Sequence, residues 1–94
     1  MERLKELIGR KENGLDFVRD MVEVLLSEGD VYSDEVLFRD AVEEVYRTLR
    51  REVISNGRED LVEAYETAVL LRAVASKTNL NSSDLLLEIR KKLG

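Results

Sequence analysis

The chain has 94 residues, a length that suits one domain spanning 1–94 and leaves no room for two. Its 20 acidic and 15 basic residues give a net charge of −5, which argues against phosphate backbones and anionic membranes as partners. Cysteine and histidine are both absent, so disulfides, thiol catalysis, Ser-His-Asp triads and imidazole chemistry are excluded, and a metal would have to be held by oxygen: magnesium, manganese or calcium.

The opening Met1-Glu2-Arg3-Leu4-Lys5 lacks the apolar core of a signal peptide, and no run approaches the ~20 apolar residues of a membrane span. A cytoplasmic protein is expected. Five helices are predicted. The first, Glu2 to Glu12, carries Leu4, Leu7 and Ile8 at helical spacing and stops at Asn13-Gly14. The second, Leu15 to Glu28, repeats Leu15, Val18, Met21, Val22, Leu25 and Leu26 on one stripe and ends at Gly29. Ser33 is a suitable N-cap for the third, about Asp34 to Ser55, which Asn56-Gly57 breaks. The fourth runs from about Glu59 to Lys77. A polar stretch, Thr78 to Ser82, leads to the fifth, about Asp84 to Leu93, with Arg90, Lys91 and Lys92 at its negative end. No segment alternates like a strand, so the fold class is all-α.

The third and fourth helices are joined by a short turn and should form an antiparallel hairpin. On the third, Phe38, Ala41, Val42, Val45, Leu49 and Val53 make one apolar stripe. On the fourth, Leu61, Ala64, Tyr65, Ala68, Val69 and Ala75 make one stripe while Leu70 and Val74 lie on the other side. A helix apolar nearly all round needs cover on both sides. A chain this short buries only about 60–65% of its unfolded surface, so a partner subunit is a natural source of that cover. A second copy of the hairpin would complete a four-helix bundle, and a homodimer or higher homo-oligomer is expected.

A family resemblance rests on several segments: Ala41-Val42-Glu43-Glu44-Val45-Tyr46, the turn Asn56-Gly57-Arg58-Glu59-Asp60, Leu61-Val62-Glu63-Ala64-Tyr65-Glu66, and the tail Ser83-Asp84-Leu85-Leu86-Leu87-Glu88-Ile89. Together they resemble the all-α NTP pyrophosphatases, the superfamily that includes MazG-type enzymes and phosphoribosyl-ATP pyrophosphohydrolase. The resemblance covers well over half the chain. It implies magnesium-dependent hydrolysis of a nucleoside triphosphate, or a related nucleotide, to a monophosphate and pyrophosphate. Carried over residue by residue, it makes Glu44, Glu63 and Glu66 the magnesium ligands. One of them, or Glu43, would orient the attacking water, and Arg47, Arg50 or Lys77 would face the phosphates. The sequence departs from the family pattern at Arg47, where the frame beginning at Glu44 has a carboxylate; shifting the frame gives Asp40 and Glu43 instead.

The chemistry behind such a motif is simple. Carboxylates three apart share a helix face, and two such pairs on adjoining helices repel one another until a cation neutralises them against substrate phosphates. The same residues also have ordinary roles. Glu59, Asp60, Glu63 and Glu66 suit the positive end of a helix, Arg47 can pair with Glu43 or Glu44, and Tyr46 and Tyr65 can fill a core or interface edge. The alternative function is therefore a non-catalytic dimerisation or adaptor module held by the apolar fourth helix. A nucleic-acid-binding or regulatory role through Arg90, Lys91 and Lys92 is disfavoured by the overall acidity.

Overall fold

The computed structural model describes residues 14–28, 35–75 and 83–93. The predicted first helix, Ser33, Lys77 and the Thr78 to Ser82 stretch lie outside the described residues. Within them the elements are α1 (Leu15–Glu28), α2 (Glu35–Arg50), a π-helical turn (Arg51–Ser55), a 3₁₀ turn (Glu59–Leu61), α3 (Val62–Ala75) and α4 (Ser83–Leu93). The described residues form an all-helical structure, with boundaries close to those read from periodicity.

The hairpin bend shows how local chemistry ends one helix and starts the next. After Arg50 the backbone widens: the Asn56 amide donates to the Arg51 carbonyl at 3.2 Å, and the Arg58 amide donates to that of Glu52 at 3.0 Å. Both bonds reach further back than the i→i−4 bond of an α-helix, so the last turn is widened. Gly57 sits at φ +67°, the left-handed conformation that reverses the chain and that a side chain resists. Arg58 then clamps the bend. Its guanidinium meets the Asp60 carboxylate through two hydrogen bonds, 3.1 and 2.9 Å, and lies 3.8 Å from Glu52. That pairing holds the Asp60 carboxyl below its usual range and raises Arg58, the side-chain hydrogen bond being the largest cause for both.

Packing around the core closes a ring. Helix α1 lies against α2 and α4, and α3 lies against α2 and α4, so the four described helices pack in a ring within one chain. Helices α1 and α4 cover the inner side of the hairpin. The core contains Val18, Met21, Val22 and Leu25 from α1, Ala41, Val42, Val45 and Leu49 from α2, Ala64, Ala68 and Leu71 from α3, and Leu86 and Ile89 from α4. Phe17 and Val24 are also buried, so α1 is covered over a wider arc than its predicted stripe. Polar clasps at the rim hold α4 to α1: Arg90 bonds Glu23 at 3.2 Å, and Arg19 donates to the Leu93 carbonyl at 3.1 Å, satisfying a helix-end acceptor.

Helix α3 departs from the predicted stripe in one respect. Leu71, not Val69, completes the inward face with Leu61, Ala64 and Ala68. Val69 is 42% exposed and Leu70 58% exposed, while Val74 is half-buried. Among the described residues, the outer side of α3 is therefore left uncovered by the ring. No helix of the described residues is long and apolar enough to cross a membrane.

Candidate functional site

The polar edge of the hairpin gathers the residues on which a hydrolytic reading depends. Helix α2 presents Glu43, Glu44 and Arg47 there by their i, i+3 and i, i+4 spacing. Glu43 is held from two directions. Arg72 of α3 meets both its oxygens, Nε to Oε2 at 2.6 Å and Nη2 to Oε1 at 3.2 Å, and Arg47 Nε lies 3.5 Å from Oε1. Arg47 also reaches Glu44 at 3.9 Å. Hydrogen bonding to Glu43 holds Arg72 even above its ordinary range. The Arg72 guanidinium carbon lies 4.5 Å from the centroid of the Tyr46 ring, which stacks on Tyr65 at 5.9 Å and 28°. Carboxylate, guanidinium and two rings thus form one seam between α2 and α3.

The acids of α3 face elsewhere. Because Glu43 stands level with Arg72, it lies nine positions along α3 from Glu63, roughly 13 Å at 1.5 Å per residue. Glu63 is turned to the opposite flank, where Lys92 of α4 meets it at 2.6 Å. That contact lowers the Glu63 carboxyl from its ordinary value and raises the Lys92 ammonium, the side-chain hydrogen bond being the largest cause in each case. Glu66 is exposed on the outer side of α3. The expected ligand set of Glu44, Glu63 and Glu66 is therefore spread over three directions. Among the described residues no group of three or more carboxylates could hold a metal ion. The donors as placed do not fit a magnesium site, because Glu43, Glu44 and Glu63 each already lie within ion-pair distance of an arginine or lysine. Lys77, expected to face phosphates, lies outside the described residues.

Two other surfaces stand out. The outer side of α3 is divided along its length: Glu63 and Glu66 occupy its first half, and Val69, Leu70 and Val74 its second. At the end of α2, Tyr46, Arg47, Arg50, Arg51, Ile54 and Ser55 line an open groove of about 360 Å³.

Several structural roles were missed by reading the chain alone. Arg72 is the lone charge between Ala68 and Ala75, and such an isolated charge on an apolar helix is a signal for a cross-helix partner. Lys92 was assigned only to the helix dipole and proves to be the partner of Glu63. Asp60, assigned likewise, pairs with Arg58. Compared with family models, with curated proteins and with solved structures, the chain matches none.

Proposed function

We propose that this chain is a self-associating helical interaction module, in which the outer side of α3 is the surface that meets a second copy. One observation carries the reading: on a helix whose inner side is already covered by its own chain, Val69 and Leu70 remain 42% and 58% exposed, with Val74 half-buried beside them. Leu70 and Val74, at i, i+4, share one edge of the helix, and Val69 lies about 100° round from Leu70; apolar side chains cost little to leave in water singly and gain when covered together.

A second copy suits this face better than an unrelated apolar partner, because the charge pattern selects the arrangement. Two α3 helices crossing antiparallel over residues 69–74 place the apolar halves against each other. Glu63 and Glu66 of each copy are then carried to opposite ends of the contact, away from their counterparts. A parallel crossing would set Glu66 of one copy beside Glu66 of the other. Three carboxylates of the hairpin have ion-pair partners and need no substrate to explain them: Arg47 and Arg72 meet Glu43, Arg47 reaches Glu44, and Lys92 of α4 meets Glu63.

Concentration-dependent sedimentation tests the proposal. Wild-type protein should shift from monomer to dimer as concentration rises, and Leu70→Glu should stay monomeric with its helix content unchanged. A wild-type chain that remains monomeric at every concentration would overturn it.

Nucleotide pyrophosphohydrolysis is the second reading. It draws support from the order of the acidic segments and from Glu43 and Glu44 standing beside Arg47 at the edge of a helical hairpin. For magnesium to enter, the carboxylates must first release their arginine and lysine partners. Pyrophosphate release from common nucleoside triphosphates, with and without magnesium, distinguishes the readings. The module should release none above the metal-free control, and magnesium should leave its melting temperature unchanged.

A further inference from the structure

We propose that the cationic groove at the end of α2 docks an acidic, carboxylate-rich segment of a partner protein, with an apolar side chain of that segment resting on Ile54. The groove is separate from the outer face of α3, and this inference does not rest on self-association.

Arg47, Arg50, Arg51 and Ile54 follow i, i+3, i+4, i+7 spacing, so one helix edge presents all four. Arg47 is shared with Glu43 and Glu44. Arg50 and Arg51 are exposed and have no ion-pair partner among the described residues. Two unmatched guanidiniums are conspicuous in a chain of net charge −5, where carboxylates outnumber cations 20 to 15. Their place near a helix C-terminus is favourable for the helix dipole, which is sufficient reason for basic residues there. It gives no reason for Ile54, which is 60% exposed among them.

The shape of the groove selects the kind of anion. From position 47 to position 54 is roughly 10 Å along the helix, the length of about three residues of extended chain. The groove is open along that row, so a compact anion would stay half in water, while an extended segment would lie along it. Each guanidinium fork can take one carboxylate in a two-pronged bond. Backbone amides, which cradle phosphates at helix N-termini, are already committed within the helix here. Tyr46 is engaged by Tyr65 and Arg72, so it is poorly placed to stack on a base. Carboxylates spaced along a chain, with one apolar residue among them, match what the groove offers.

The test uses the full chain and a short fluorescent peptide of glutamates containing one leucine, followed by anisotropy at low and physiological salt. Binding should weaken with salt, by about tenfold or more in Arg50→Gln/Arg51→Gln, and measurably in Ile54→Ser. The peptide with glutamine for every glutamate should not bind. All three substituted positions are exposed, so circular dichroism should match wild type, and sedimentation should show unchanged association. Equal binding of the two peptides, or equal affinity in the double variant, would overturn the proposal. So would displacement by inorganic tripolyphosphate at lower concentration than by unlabelled glutamate peptide, because the groove would then belong to a compact polyanion.

Discussion

Gly57 is the residue on which the hairpin turns, and its role is conformational. At φ +67° an L side chain is strained, yet a Cβ there would meet no atom within 4 Å. Gly57→Ala should therefore cost about 1 kcal/mol from backbone strain alone. Gly57→Asn should cost less, since asparagine tolerates this conformation. Urea unfolding of the three proteins checks the order, and an alanine variant as stable as wild type would show that the bend can be remade without the left-handed turn. Leu70 and Leu71 make a sharper contrast, being neighbours in sequence and opposites in burial. Leu71 is fully buried in the core, so Leu71→Ala should cost about 3 kcal/mol through lost contacts and a cavity. Leu70→Ala, measured at a concentration low enough to keep the chain monomeric, should stay within about 0.5 kcal/mol of wild type. The difference separates what holds the chain together from what it offers to another molecule.

At the scale of elements, α3 is held on both flanks by charge pairs as well as by its buried stripe: Arg72 to Glu43 on α2, and Glu63 to Lys92 on α4. The second pair predicts a pH dependence with a definite sign. The folded carboxyl of Glu63 lies below its ordinary value of 4.5, so the folded state binds that proton less tightly than the unfolded state does. The contribution is complete above that ordinary value and is lost as pH falls through the lowered one. Lys92 is raised above 10.5, so its contribution is complete below that value and is lost as pH climbs through the raised one. The gap in melting temperature between wild type and Glu63→Gln should be widest near neutrality, shrink below pH about 4.5, and shrink with added salt at pH 7. A gap constant from pH 7 to pH 3 would mean that Lys92 contributes nothing through this contact.

These elements were legible to different degrees. Helix extents followed from apolar spacing and from Asn56-Gly57, because periodicity and turn chemistry are local properties. The inner stripe of α3 was misread at Val69 because apolar residues occur nearly all round that helix, which leaves the phase of the buried face undetermined until its neighbours are known. The separation of Glu43 from Glu63 could be argued from the hairpin geometry. That Glu63 turns towards Lys92 could not, because it depends on where α4 packs, and that contact joins residues 29 apart in sequence.

At the scale of the whole molecule, the ring formed by the four described helices constrains how the proposed second copy would dock. An open hairpin would offer its entire inner surface to a partner and could pair only by merging cores. Here α1 and α4 already cover the inner side of the hairpin, so the proposed association would use the outside of α3 and leave each protomer intact. The contact should accordingly be modest in area, and weaker than an obligate dimer, because three large apolar side chains per copy make a small buried centre. Such a dimer dissociates on dilution without unfolding. The circular dichroism spectrum of wild type should therefore be the same at concentrations where sedimentation reports monomer and where it reports dimer. Leu70→Glu should remove the dimer by placing a charge at the apolar centre, without loss of helix. Adding acid groups at the flanks already occupied by Glu63 and Glu66 should matter far less, since those positions lie at the ends of an antiparallel crossing. Thr67→Glu serves as that control: it lies one turn before Leu70 on the acidic half and should leave dimerisation within a few-fold of wild type. Loss of the dimer in Thr67→Glu as complete as in Leu70→Glu would rule out the antiparallel arrangement, because only a parallel crossing stacks that position on its own counterpart.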